Sequence, residues 1–350
     1  MSVIVLGTTM PLNGYWGPRE LDCLTSLTNQ INIKFNNQYN MIINLTWFGP
    51  QFPKSDYYNL DNYVDIPIDN LFLIASVDPI MMVPEQINEI VTKLGNPVVY
   101  QLGNFDNGLQ FNFFSMAVAD NFNNYHNDDI VLKDLKWIFL NYNRKPREHR
   151  VKFVRKLINQ NLLKYGVVTI GKPNIIYNND PENDLYITVP DSPEQLAAYE
   201  KLFPDTKKNF GIPEDILTVG DLNIWKHHFL NVISETEFNP WDNIFVSEKT
   251  WKPIIGLRPF LFNGNVRTYR WLRDNGFRTF SHYFDNIETA KECEVLDSLI
   301  SAIKYLISLN KNEILSMYND MLPDLIYNKD RFFEFAREQQ YKINNLFNEI

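Results

Sequence analysis

Short apolar runs bounded by turn residues recur along the chain, and stretches of helical periodicity separate several of them. Ser2 to Leu6 (SVIVL) ends at Gly7 and predicts a buried first strand entering a loop. The next stretch, Thr8 to Glu20, holds Pro11, Gly14, Gly17 and Pro18 and predicts an irregular, non-helical loop. Strands are expected at Met41 to Trp47, Leu71 to Ala75 and Pro97 to Leu102, with a helix from Pro84 to Lys93 between the last two. The second half repeats the alternation. Trp137 to Leu140 predicts a strand, Pro146 to Leu163 a helix, and Val167 to Ile170, Asn231 to Ser234 and Pro259 to Phe262 further strands. From Asp285 the chain reads as helical to its end. Strand and helix in alternation predict an α/β fold of parallel sheets covered by helices.

Composition bounds this picture. With 350 residues, 45% of them hydrophobic, the chain can fill more than one core. No apolar run reaches the roughly 18 to 20 residues of a bilayer span, and the start has no secretory pattern. A soluble cytoplasmic protein is expected, in the host cytoplasm if the gene is viral. The 43 asparagines fit AT-rich coding of the viral kind. Cys23 and Cys293 lie far apart and suggest small core residues rather than a disulfide or zinc site.

The net charge of −9 is unevenly spread: residues 1 to 130 hold four basic groups against thirteen acidic ones, and the remaining 29 basic and 29 acidic groups balance. The change coincides with Asn121 to Asp129 (NFNNYHNDD), which reads as a linker. The expected organisation is an acidic α/β domain over residues 1–125, a second α/β domain over 131–325, and a closing helix over 326–350. Open parallel sheets bind ligands at the carboxyl ends of their strands, so two such edges facing a cleft would suit a two-substrate enzyme.

Phosphate-loop, dinucleotide, HExxH and GxSxG signatures are absent, which lowers the prior for those enzyme classes. The five histidines, His126, His149, His227, His228 and His282, lack metal-ligand spacing and are expected to have surface or packing roles. Asp128 and Asp129 read as a solvated turn.

Two segments carry chemistry. In Asn141 to Leu157 (NYNRKPREHRVKFVRKL), Arg144, Lys145, Arg147 and Arg150 crowd a predicted helix start, where the dipole is already positive. An anion bound there would make the arrangement favourable, because backbone N–H groups and guanidinium forks would converge on a phosphate. A solvated basic face is the alternative. In Asn243 to Asn265 (NIFVSEKTWKPIIGLRPFLFNGN), a strand over Ile244 to Val246 is expected to deliver Ser247, Glu248 and Lys249 to a helix start, with Ser247 as N-cap. Glu248 could accept ribose hydroxyls while Lys249 meets phosphates; an exposed ion pair of little energetic worth is the competing reading.

The succession NRKPREHR, SEKTWKPI, RPFLFNGN and WLRDNGFRTF (Trp271 to Phe280) resembles the carboxyl-terminal domain of glycosyltransferases encoded by bacteriophages and related viral genomes. More distantly it is similar to the alpha-1,3-fucosyltransferases, whose donor domain carries a Tyr-Val-Thr-Glu-Lys motif. The likeness spans about residues 137–285. It implies a type B glycosyltransferase: two Rossmann-like domains facing a cleft, with the last helix crossing back. It further implies that Glu248 binds the donor ribose and Lys249 and Arg150 the diphosphate; Phe245 stands where the family has a tyrosine stacking near the base, so a hydroxyl contact is lost while stacking could remain. Ser247 stands for the family threonine. Beside the resemblance, Arg144, Arg147 and Lys252 are further candidates for the basic donor end. The implied donor is a nucleotide diphosphate sugar, with no cofactor or protein-bound metal expected.

Inverting transfer needs a carboxylate that deprotonates the acceptor hydroxyl. Asp106 (QLGNFDN) and Asp78 (ASVDP) follow expected strands, and Glu20 follows the Gly/Pro loop; Asp106 is preferred, though an Asx turn explains it equally well. The expected function is transfer of a sugar to a hydroxyl acceptor, a glycan ahead of a hydroxylated pyrimidine in phage DNA, since an acidic first domain disfavours a DNA duplex. A non-catalytic sugar-nucleotide or glycan-binding protein is the alternative class.

Overall fold

The computed structural model describes residues 4–7, 18–44, 60–75, 84–103, 112–143, 147–170, 218–235, 244–284 and 287–345. The fold is α/β, with two parallel sheets. The chain divides into two compact units. Among the described residues, one holds those up to Ala117 and from Phe335 onward, the other Val118 to Glu334.

In the first unit β1 (Ile4–Gly7), α1 (Pro18–Lys34), β2 (Asn40–Asn44), β3 (Asn70–Ala75), α2 (Pro84–Lys93), β4 (Val98–Gly103) and α3 (Phe113–Phe122) follow one another, α3 running on into the second unit. The four strands pair in parallel in chain order. Met41, Ile43, Leu71 and Leu73 pack on Leu60, Ile68, Ile90 and Leu94. The alternate residues Ile42, Phe72, Ile74 and Leu102 pack on Leu27, Ile31 and Met116. Covering both faces selects strands that are apolar throughout, which is why they stand out in the sequence.

The second unit contains α4 (Asn127–Ile130), β5 (Trp137–Asn143), α5 (Glu148–Asn159), β6 (Gly166–Ile170), α6 (Leu222–Trp225), β7 (His228–Ile233), α7 (Glu248–Ile255), β8 (Phe260–Phe262), α8 (Arg267–Asp274), α9 (Val295–Ser308) and most of α10 (Lys311–Asn344). Its parallel sheet has the order β6-β5-β7-β8. The chain therefore steps from β5 to β6 on one side, then resumes with β7 on the other side of β5. The strand order reverses between β5 and β7. Trp251 of α7 anchors this unit, its ring 5.5 Å from that of Phe277 and 5.3 Å from that of Phe332. The part of α10 beyond Phe335 belongs to the first unit, where Ile343 joins the Leu27 cluster and Gln339 Oε1 accepts the Asn112 N–H at 3.1 Å.

Several expectations need correction. Helix α1 begins at Pro18, inside the stretch read as non-helical, because proline suits a first helical turn whose N–H has no intrahelical partner. Residues 244–246 form no strand; Phe245 and Val246 are buried without joining a ladder. Helix α5 is shorter than its predicted span, with Arg147 as N-cap and the chain turning at Asn161, φ 56°. The stretch 121–129 is no free linker. It closes α3 and forms α4, and Lys329 Nζ donates to the Tyr125 carbonyl (2.6 Å) and to Asn127 Oδ1 (2.8 Å). Asp128 and Asp129 are exposed, but in a short helix rather than a turn. Cys293 is exposed, not a core residue, while the Cys23 side chain lies outside the described residues. Among the described helices none is long and apolar enough to cross a membrane.

The turn from α7 to β8 is tightly determined. Gly256 caps the helix with Trp225 ring atoms 2.2 Å from where a Cβ would stand, and Leu257 follows in the left-handed region at φ 52°. Trp225 cannot retreat easily, being fully buried with Nε1 donating to the Val219 carbonyl at 2.6 Å. Gly256→Ala should cost about 1–3 kcal/mol by overpacking. A urea-unfolding midpoint equal to that of the wild type would contradict this.

Candidate functional site

In open parallel sheets, ligands bind beyond the carboxyl ends of the strands where strand order reverses. Here the chain leaves β5 toward α5 and leaves β7 toward α7, so both helix starts belong to that edge. The Ser247 side chain accepts the Lys249 N–H at 3.3 Å, and Glu248 occupies the first turn of α7, as expected from the sequence.

Glu235, two residues beyond β7, holds this start together. It is 4% exposed. Its Oε1 accepts the Ser247 N–H (3.1 Å) and the Thr250 hydroxyl (2.6 Å), and its Oε2 accepts the Ser247 hydroxyl (2.5 Å). Three donors on the two oxygens are the pattern of an ionised carboxylate, whose charge is favourable at a helix N-terminus. The backbone carbonyl of Glu235 serves the other helix. It accepts from Arg150 Nη2 (2.8 Å) and His149 Nε2 (3.0 Å), while the Ser234 carbonyl also accepts from Arg150 Nη2 (3.0 Å).

A buried polar network lies behind these contacts. Asn141 Nδ2 donates to the Val232 carbonyl (2.7 Å) and Ser234 Oγ (3.2 Å), and Asn263 Nδ2 donates to Ser234 Oγ (3.1 Å) and the His149 carbonyl (3.2 Å). Asn143 Nδ2 donates to Asn141 Oδ1. Three strand ends and two helix starts are thus cross-linked by side chains.

Ser247, Glu248, Lys249 and Lys252 share the start of α7. Glu248 is 6% exposed and accepts from Lys249 Nζ at 2.6 Å, so the pair is largely buried rather than the exposed pair of the competing reading. Lys252 is 8% exposed and Phe245 is buried. Arg147 is the N-cap of α5, and Arg150 is buried against the strand-end carbonyls. Arg144, Asp78 and Asp106 lie outside the described residues. Glu20 stands in the first turn of α1, its side chain outside the described set. Among the described residues, no three His, Cys, Asp or Glu side chains converge as a metal ion would require.

Glu235, Asn141, Ser234 and Asn263 escaped the sequence reading. The rule that selected Asp78 and Asp106, an acid just beyond a strand, would also have selected Glu235. The chain matches no protein-family model, no curated protein and no solved structure.

His149 has a packing role at this edge. A carbonyl only accepts, so its Nε2 carries the proton. Burial, reinforced by Arg150 and Arg147, lowers its pKa to about 3. His228, at the start of β7, is lowered to about 3 by burial and the nearby Arg258. Below the unfolded-state pKa near 6.5 the unfolded chain binds protons that the folded rings refuse. Stability should therefore be full above about pH 6.5 and fall as pH drops toward 3, by up to about 1.4 kcal/mol per pH unit per ring. Urea midpoints between pH 7.5 and 4.5 check this. The slope should shrink in His228→Gln and His149→Gln, and an unchanged slope would contradict the assignment.

Proposed function

We propose that the chain is a glycosyltransferase that moves a sugar from a nucleotide diphosphate sugar to a hydroxyl acceptor, with a glycan as the favoured acceptor. Its two units would be the acceptor and donor domains of a type B enzyme, and transfer would invert the anomeric centre. One observation carries the reading: the helix start bearing Ser247, Glu248 and Lys249 lies at the edge where the second sheet reverses its strand order, beside a second start bearing Arg147.

The chemistry suits a diphosphate leaving group. Lys249 would exchange part of its contact with Glu248 for phosphate oxygens, and the freed carboxylate would accept the ribose hydroxyls. Arg147 would add a forked donor from α5. Arg150 is committed to the strand-end carbonyls through Nη2, so its part would be to fix α5 rather than to carry the whole phosphate contact. Positive groups at the leaving diphosphate would stabilise departing charge in a water-poor site. Asp106, Asp78 and Glu20 are the candidates for the base.

The test is a thermal-shift screen with GDP, UDP, CDP and their sugars, followed by calorimetry on the responders. Lys249→Ala and Glu248→Ala should each weaken binding of the responding nucleotide at least tenfold, about 1.4 kcal/mol, with the fold intact. Nucleotide binding untouched by either change would overturn the assignment.

A further inference from the structure

We infer that Glu235 is a positioning residue for this site, setting the hydrogen-bond polarity of the α7 start and through it the place of the Lys249 ammonium; the inference rests on the anion-site reading just given. A carboxylate only accepts, so the Ser247 hydroxyl must spend its single hydrogen on Glu235 Oε2. Its lone pairs are then turned toward Lys249, whose backbone N–H lies 3.3 Å away and whose Nζ lies 3.4 Å away. Thr250 spends its hydrogen on the same carboxylate, at 2.6 Å. Both hydroxyls of the first turn are thereby oriented by one buried group on the neighbouring strand end. Because the Glu235 carbonyl also receives Arg150 and His149, that residue spaces the α7 start against the α5 start.

Glu235→Gln reverses one bond while keeping the shape. An amide nitrogen at Oε2 would donate to Ser247 Oγ, forcing the hydroxyl hydrogen round toward Lys249. Glu235→Asp keeps the charge but withdraws it by one methylene. Positioning predicts that both variants lose, whereas a merely repulsive charge beside an anion site predicts that Gln gains and Asp changes nothing.

The experiment has two arms on the full chain, each variant first checked for a cooperative thermal transition. Without ligand, amide hydrogen exchange over Val246 to Trp251 should quicken at least tenfold in Glu235→Gln. With inorganic pyrophosphate, GDP, UDP and CDP in a calorimeter, both variants should bind at least tenfold more weakly than wild type. Thr250→Val, which removes a single donor, should shift both readouts in the same direction by less, and stands in if Glu235→Gln does not fold. Unchanged exchange, or tighter pyrophosphate binding in Glu235→Gln, overturns the inference. Faster exchange in the variants with no binding by wild type supports the hold on the helix start and defeats the nucleotide reading instead.

Discussion

Two buried charges lock β7 and α7 to each other, and the candidate site depends on that lock. Glu235, just past the end of β7, binds the start of α7. Arg258, just past the end of α7, returns the favour: its Nε donates to the His228 carbonyl (2.7 Å), and its Nη1 to those of Gly256 (3.0 Å) and Leu257 (2.8 Å). Each charge has the sign that the adjoining end of the helix dipole favours. Arg258 is fully buried, and burial lowers its pKa to about 10, still far above neutrality; the Tyr318 hydroxyl, 3.2 Å from Nη1, supports it. Removing either side chain would leave buried donors or acceptors unpaired, which costs more than the hydrogen bonds themselves contribute.

This lock gives the site its precision. An eight-residue helix is too short to be stable alone, yet here it is fixed at both ends and by Trp251 in its middle. The reversal of strand order then places a second fixed helix start beside it. The basic residues at that second start, unfavourable for an isolated helix, are partly explained by structure: Arg150 is absorbed by carbonyls at the end of β7. Arg147 is the N-cap of α5.

The sequence revealed what local pattern encodes. Fully buried parallel strands read as apolar runs, so β3, β4 and β6 fell within a residue or so of their predicted positions, and α2 matched from Pro84 to Lys93. Ser247 as N-cap followed from its residue type and place. Tertiary decisions stayed hidden. Phe245 and Val246 look like a strand but are buried in an irregular segment. Pro18 punctuates a loop or opens a helix equally well. Glu235, within the polar string SETE, resembles a surface acid until the fold brings Ser247 and Thr250 onto it from 12 and 15 residues away.

The central claim is that the starts of α5 and α7 form one anion site at the reversal between β5 and β7. A crystal structure with the tightest-binding nucleoside diphosphate tests it most directly. The account predicts the diphosphate within hydrogen-bond distance of Lys249 Nζ and on the Arg147 side of that edge, with Glu235 still holding Ser247. A diphosphate seated elsewhere, with Lys249 still closed on Glu248, would contradict it.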